Sequence, residues 1–418
     1  MKIWLINHYA CDMYRDKAGR HYWFAKQLLK RGYDVTIICS SAYLNSNEQT
    51  LTGRQILGMK ETDGIQFVFV KTISATGNGV KRVWNMYLFY QNLMNSWKKI
   101  INVTGVPDVI LASSVHPLTM IAGIRIAKKL KVPCICEIRD LWPEGIFTAS
   151  GLKPTSVIGR CLIAGEHWIY RKADALIFTK EGDTDYLLEK GWTTEQGGDI
   201  DLSKCHYINN GVDLAQFDRS LQTYVLNDDL LKRNVFKVVY TGTIRPTNNV
   251  NLIVEAANIL KRRSDIVFLI YGEGNQQQQL KEKAQKLGLS NVYFQGRVER
   301  KYIPYILSMA DVNLLNYSAE YTWKRGNSSN KLFEYMASGK PVISTVQMGY
   351  SIINQYQCGI ELEECTPEEL AKAVVKFYDM SRDELQKYGD NARKGASDFD
   401  FDVLTDKLEQ VIEEVKKG

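Results

Sequence analysis

Apolar runs of four to seven residues, rich in Val and Ile, recur along the chain with helical patterns between them. In the first half they are KIWLI at 2–6, DVTIICS at 34–40, IQFVFV at 65–70, PDVILASS at 107–114, PCICEIRD at 133–140 and ALIFT at 175–179. The second half adds FKVVYTG at 236–242, IVFLIYG at 266–272, VYFQG at 292–296, DVNLLN at 311–316, KPVIST at 340–345 and CGIEL at 358–362. Strands that are hydrophobic throughout and alternate with helices belong to parallel sheets covered on both faces. Right-handed crossovers then predict an α/β protein of two doubly wound, Rossmann-like domains facing across a cleft. A rough internal repeat supports the pair: strand 2–6, helix 18–31 and strand 35–40 match strand 235–242, helix 250–263 and strand 266–271.

The polar segment with DRS and NDD clusters marks the boundary, giving a first domain over 1–213, a linker over 214–234 and a second domain over 235–396. The end of the chain, 397–418, carries Phe401, Leu404, Leu408, Ile412 and Val415 at three- and four-residue spacing. That spacing predicts an amphipathic helix, packed at the terminus and able to return to the first domain.

At 418 residues, with 45% hydrophobic and 24% charged positions, the chain is an ordinary globular protein with ample core. A net charge of +6 is too small over this length to require nucleic acid, though it suits anionic substrates or a lipid surface. The eight cysteines include no C-x-x-C pair, so they read as free core thiols of a reducing compartment. MKIWLINHY is a short apolar strand without the features of a signal peptide, and no run reaches the length of a membrane span. A cytoplasmic protein is expected.

Candidate chemistry concentrates at 327–345, NSSNKLFEYMASGKPVIST. Ser328, Ser329 and Asn330 are N-cap residue types before a helical run, Gly339 ends the helix and Pro341 opens the next strand. A helix N-terminus flanked by small polar residues and Lys331 is an anion site, since its free N–H groups and dipole accept phosphate. Glu334, one turn further, is placed to accept two hydrogen bonds from a ribose diol. The competing reading is an ordinary capped helix between two strands.

This segment resembles the donor-binding helix of the family-four retaining glycosyltransferases, which have the two-domain GT-B fold. Other stretches agree in order: Gly32-Tyr33-Asp34-Val35-Thr36, the Asn210-Gly211-Val212-Asp213 that closes the first domain, Tyr240-Thr241-Gly242, and Tyr271-Gly272-Glu273-Gly274. Glu137-Ile138-Arg139-Asp140-Leu141-Trp142-Pro143 and the SNKLFEYM run further resemble the subgroup that builds O-antigen and capsule, with N-acetylfucosamine-type transferases among its members.

The resemblance implies a donor site built from Gly19, Gly242, Thr243, Gly272, Glu273, Ser329, Asn330, Leu332 and Glu334. It implies that Arg139, Asp140, Lys331 and Arg245 carry the chemistry and that His116 meets the acceptor. The chain departs from the family pattern at Gly326, where a first glutamate is expected, and at Thr243 and Asn248, where the family has an arginine and a lysine. Lys331 and Arg245 are the candidate replacements.

The expected reaction is transfer of a sugar from a nucleotide diphosphate donor to a glycan or polyprenyl-linked acceptor, with retention, in surface polysaccharide synthesis. Uridine diphosphate is implied by the subgroup, with guanosine open. No cofactor or metal is expected: the Asp199/Asp201 pair lies in a polar stretch apart from the motifs. A nucleotide-sugar 2-epimerase and a non-catalytic nucleotide-sugar binder are the alternatives. The stretch 81–100, with Trp84, Tyr87, Phe89, Tyr90, Met94 and Trp97 between lysines, reads as a core helix or as a weak contact with the inner face of the plasma membrane.

Overall fold

The computed structural model describes residues 1–417 apart from 78, 115 and 320–322, with residue 149 described by its backbone. The chain divides into two compact units, Met1–Asn209 with Leu404–Gly418, and Asn210–Val403.

The first unit is built on an eight-stranded sheet: β1 Lys2–Ile6, β2 Asp34–Ser40, β3 Leu57–Thr62, β4 Ile65–Val70, β5 Val109–Ser113, β6 Cys134–Ile138, β7 Ala175–Phe178 and β8 Cys205–Tyr207. Their order is β3-β4-β2-β1-β5-β6-β7-β8, parallel throughout except for β3. The second unit holds β9 Phe236–Thr241, β10 Ile266–Tyr271, β11 Val292–Gly296, β12 Val312–Leu315, β13 Val342–Ser344 and β14 Gly359–Glu361. These run in the order β11-β10-β9-β12-β13-β14, all parallel. Every apolar run singled out in the sequence is a strand. The central ones are buried end to end, as strands covered on both faces must be.

Two strands lacked such a run. β3 reads LGMKET, with Met59, Lys60 and Glu61 exposed, because it is an antiparallel edge. It is joined to β4 through Asp63-Gly64, both at positive φ, the two-residue turn that matches strand twist. β8 is three half-buried residues at the other edge.

Residues 214–234 are not a free linker. They form the helices Leu214–Thr223 and Asp229–Lys232, anchored by buried Phe217 and Leu231 and capped by Asp213 and Asp228. The terminal helix spans Phe401–Lys417, and its Asp406 and Glu409 pair with Arg31 while Lys416 pairs with Asp108. Of the eight free cysteines, three are not core thiols: Cys161 is exposed, and Cys205 and Cys365 are half-buried. The aromatic stretch lies within the helix Val80–Thr104, which buries Phe89, Leu93 and Ile100 and exposes Val80, Val83, Trp84 and Tyr87. Among the described residues no helix is long and apolar enough to cross a membrane.

One polar cluster ties the first sheet together. Glu137, fully buried in β6, accepts from Arg20 Nε at 2.6 Å, from His21 Nε2 at 2.9 Å and from Ser113 Oγ at 2.8 Å. Arg20 also donates to the carbonyls of Ile208 and Asn209, at 2.8 and 2.5 Å, just beyond β8. Asn7 Nδ2 donates to His21 Nδ1 at 2.9 Å, which leaves the His21 proton on Nε2, facing the carboxylate. Burial alone raises the Glu137 pKa, but Arg20 and His21 outweigh it and hold the carboxyl well below its usual range.

Arg20→Met leaves a buried carboxylate without its ion pair, and removing one partner of such a pair costs about 3–5 kcal/mol. Urea unfolding at pH 7 followed by fluorescence checks it; a loss under about 1 kcal/mol contradicts the assignment. Because the folded pKa of Glu137 lies below the unfolded value of about 4.3, its contribution is in place above that pH and lost as pH falls through the folded value.

Candidate functional site

In doubly wound sheets, ligands bind at the carboxyl ends of strands where the strand order reverses. In the second unit that point lies between β9 and β12, and the turn after β9 carries Gly242, Thr243 and Arg245. Gly242 has φ +151° and Gly272, after β10, has φ +146°. A Cβ on Gly272 would lie 1.8 Å from the Gly242 carbonyl oxygen, so the two turns touch backbone to backbone. Gly242 N–H donates to Tyr271 O, and Ile244 N–H to Glu273 O, both at 2.9 Å.

Asn248 is buried and donates to Thr243 O at 2.6 Å, while Asn316, after β12, donates to the carbonyls of Asn248 and Asn249 at 2.5 and 2.7 Å. Asn248 therefore shapes the turn from inside, and Thr243 and Arg245 are left exposed.

The helix Asn330–Ala337 starts at this same edge of the sheet. Ser329 is its N-cap residue but makes no side-chain cap bond, and Asn330 is exposed. Tyr335, fully buried, fixes the helix to β9 through its hydroxyl, within 3.1 Å of both Thr241 N and Thr241 O. Lys331 Nζ is buried without a hydrogen-bond partner among the described residues. It lies over the rings of Tyr240, at 5.1 Å, and Tyr317, at 4.8 Å. Burial, then the positive charge of Arg245, lowers the Lys331 pKa to about 7, with Glu334 pulling the other way. The Arg245 carbonyl accepts from Asn248 N–H at 2.9 Å, while its side chain makes no hydrogen bond or ion pair with a described residue.

Glu334 is one helical turn beyond Lys331, and its Oε1 accepts from Arg300 at 3.0 Å. Glu273 is exposed and pairs with Arg297 at 3.3 Å. Leu332, also expected at the donor, has its side chain in the core, and its N–H bonds Ser329 O at 3.1 Å. Gly326, at φ +96°, lies in the loop before the helix.

In the first unit the strand order reverses between β1 and β5. His116 lies just beyond β5, fully buried, with Nε2 2.7 Å from His8 Nδ1. Burial pushes its pKa down to about 3, so the imidazole stays neutral. Arg139, after β6, is held by its backbone: its N–H donates to Ser114 Oγ and its carbonyl accepts from Thr179 Oγ1, at 2.9 and 3.1 Å. Its Nε is buried with no partner among the described residues. Asp140 is exposed, 4.0 Å from Lys180 Nζ. Gly19 caps the helix Arg20–Lys30 at φ +106°.

Sequence reasoning did not single out Tyr240 and Tyr317 as the walls around Lys331, nor Asn316, Tyr335, Arg300 or His8. Arg297 and Arg300, three apart at the end of β11, each reach a carboxylate expected at the donor. That spacing was a readable signal. Among the described residues no three His, Cys, Asp or Glu side chains are grouped to hold a metal ion. Asp199 instead pairs with His167 and Arg171, and Asp201 caps a short turn.

Known proteins place this geometry. Residues 20–196 match the glycosyl transferase 4-like domain, and residues 227–395 match the glycosyl transferases group 1 family. The chain is 26% identical over 257 residues to the putative teichuronic acid biosynthesis glycosyltransferase TuaH of Bacillus subtilis, covering 60% of each. It is 23% identical over 230 residues to the uncharacterized glycosyltransferase MJ1069 of Methanocaldococcus jannaschii, covering 54% of each. The chain thus spans between about half and three fifths of the length of these relatives. It shares its fold with a trehalose-6-phosphate protein from E. coli solved with UDP-2-fluoro glucose bound. That likeness has a TM-score of 0.72 at 12% identity and covers 100% of this chain and 99% of the other. With a 4-like domain over the first unit and a group 1 domain over the second, the chain belongs to the GT-B glycosyltransferases of group 1.

Proposed function

We propose that the protein transfers a sugar from a uridine diphosphate donor to a hydroxyl of a glycan or polyprenyl-linked acceptor, retaining the anomeric configuration and needing no metal. One observation carries the reading: the buried Lys331 ammonium, without a hydrogen-bond partner among the described residues, at a helix N-terminus with no side-chain cap, beside Arg245, at the strand-order reversal of the second unit. A diphosphate supplies what that arrangement lacks, and positive groups aimed at it stabilise the charge that builds up as the sugar leaves. Glu334 takes the ribose diol, with Gly242, Thr243, Gly272, Glu273, Ser329 and Asn330 around the nucleotide. In the first unit, Gly19 leaves room for substrate, Arg139 and Asp140 contact sugar or acceptor groups, and His116, neutral, accepts from an acceptor hydroxyl.

Uridine accords with the E. coli neighbour's bound ligand, and a role in surface polysaccharide of the O-antigen or capsule kind accords with the name of the Bacillus subtilis relative. On the front face the departing phosphate oxygen takes the acceptor's proton, so no separate base is required.

The reaction is tested by proton NMR of the first-formed product, with nucleotide sugars screened in excess chelator. Retained configuration under chelation is expected. An inverted anomer, activity that returns only with magnesium, or epimerised donor without transfer contradicts the reading.

Donor binding is also proton-linked. Lys331 titrates near pH 7 in the free chain. A bound diphosphate favours its charged form, so the bound pKa is higher. Affinity for uridine diphosphate is therefore full below pH 7 on account of this group, and falls up to about tenfold per unit as pH rises above it. Calorimetry at pH 8 in two buffers of different ionisation heat should show proton uptake in the parent and none in Lys331→Met. Equal uptake in both contradicts the role of Lys331.

The exposed Val80, Val83, Trp84 and Tyr87, with Lys81 beside them, form the part of the aromatic helix that meets an anionic lipid surface. Flotation with vesicles containing phosphatidylglycerol should recover the protein at low salt and lose it at high salt. No recovery at low salt contradicts it.

A further inference from the structure

Lys331 and Glu334 stand three residues apart on one helix, a spacing at which opposite charges ordinarily pair. They do not pair here. Lys331 Nζ has no hydrogen-bond partner among the described residues, and the Glu334 carboxylate is drawn to Arg300 instead, 3.0 Å from its Oε1. Arg300 opens the turn Arg300–Tyr302 just after β11, so the contact joins two separate elements. Its side chain is 55% exposed and that of Glu334 20%. A pair so open to water contributes only about 0–1 kcal/mol to folding, so stability is not its main consequence.

We infer that Arg300 is a positioning residue for the donor site, holding Glu334 by one carboxylate oxygen and away from Lys331. The inference rests on the donor reading above. The held carboxylate has two effects. Oε2, which hydrogen-bonds no described residue, is left to accept from the ribose diol in a fixed orientation. The Lys331 ammonium is left for the diphosphate, with no internal carboxylate to be displaced first. The charge balance follows the same logic. An anionic carboxylate one turn from a diphosphate repels it, and the Arg300 guanidinium cancels that charge without occupying the phosphate position. Arg297 and Glu273 form a second pair at the same loop, more open to water at 78% and 58% side-chain exposure.

The test is a binding cycle by calorimetry with uridine diphosphate and its 2′,3′-dideoxy analogue on the parent, R300Q, R300K and E334Q. Losing a hydrogen bond to a charged group corresponds to about a tenfold change in affinity. The parent should therefore prefer the hydroxylated nucleotide by about tenfold, R300Q should lose most of that preference, R300K should recover part of it, and E334Q should lose it as well. In the free protein, the Lys331 amine of R300Q, followed by NMR, should titrate higher than in the parent, because Glu334 is released to pair with it.

Equal losses of both nucleotides in R300Q would mean a direct phosphate contact or a structural fault, and overturn the inference. So would an R300Q that binds both as the parent does. If the parent binds neither nucleotide, the donor reading fails. The Lys331 titration then still decides whether Arg300 keeps the two charges apart, and an unchanged value in R300Q says that it does not.

Discussion

An ammonium group buried without a hydrogen bond is costly, because desolvation removes the water that satisfied it. The second unit carries one such group in Lys331, and the surrounding structure is arranged around that cost. The faces of Tyr240 and Tyr317 return part of it as cation–π attraction. Gly242 leaves the space the side chain runs through, since a Cβ there would come within 3.3 Å of Lys331 Cδ. Tyr335 locks the helix that carries Lys331 to β9, and Asn248 and Asn316 hold the neighbouring turn in shape. Each of these contacts is unremarkable alone. Together they keep a cation at the helix N-terminus without supplying the anion that would quench it.

The first unit meets the same problem with the opposite solution. Glu137 is as deeply buried as any core residue, yet Arg20 and His21 from one helix and Ser113 from β5 satisfy it. That cluster is a structural fastening. Among the described residues, Arg139 Nε and His116 Nδ1 are buried without a hydrogen-bond partner, just beyond the ends of β6 and β5. The contrast is between a carboxylate that is fully paired and buried ring and guanidinium nitrogens that are not.

Much of this was legible in the sequence because burial leaves a simple trace. Strands covered on both faces must be apolar throughout, and the twelve such runs all became strands. β3 escaped because an edge strand may be polar, although its Asp63-Gly64 turn was a hairpin signal in plain view. The span 214–234 looked like a linker on composition, but Phe217 and Leu231 are enough to anchor two short helices. At the site, Lys331 and Glu334 were readable because helix caps and periodicity are local. For Leu332, between them, helix geometry turns the side chain into the core. That Tyr240 and Tyr317 wall Lys331 depends on which strands lie side by side, and nothing local records that.

The central claim is that the turns after β9, β10 and β11 and the start of the Asn330–Ala337 helix hold a nucleoside diphosphate. Hydrogen exchange read by mass spectrometry, with and without saturating uridine diphosphate, tests it most directly. Backbone N–H groups that close on a ligand exchange more slowly. The account predicts slowed exchange over 242–248, 272–276, 296–300 and 328–334, with β1 to β8 unchanged. No protection in those segments, or protection confined to the first unit, would contradict it.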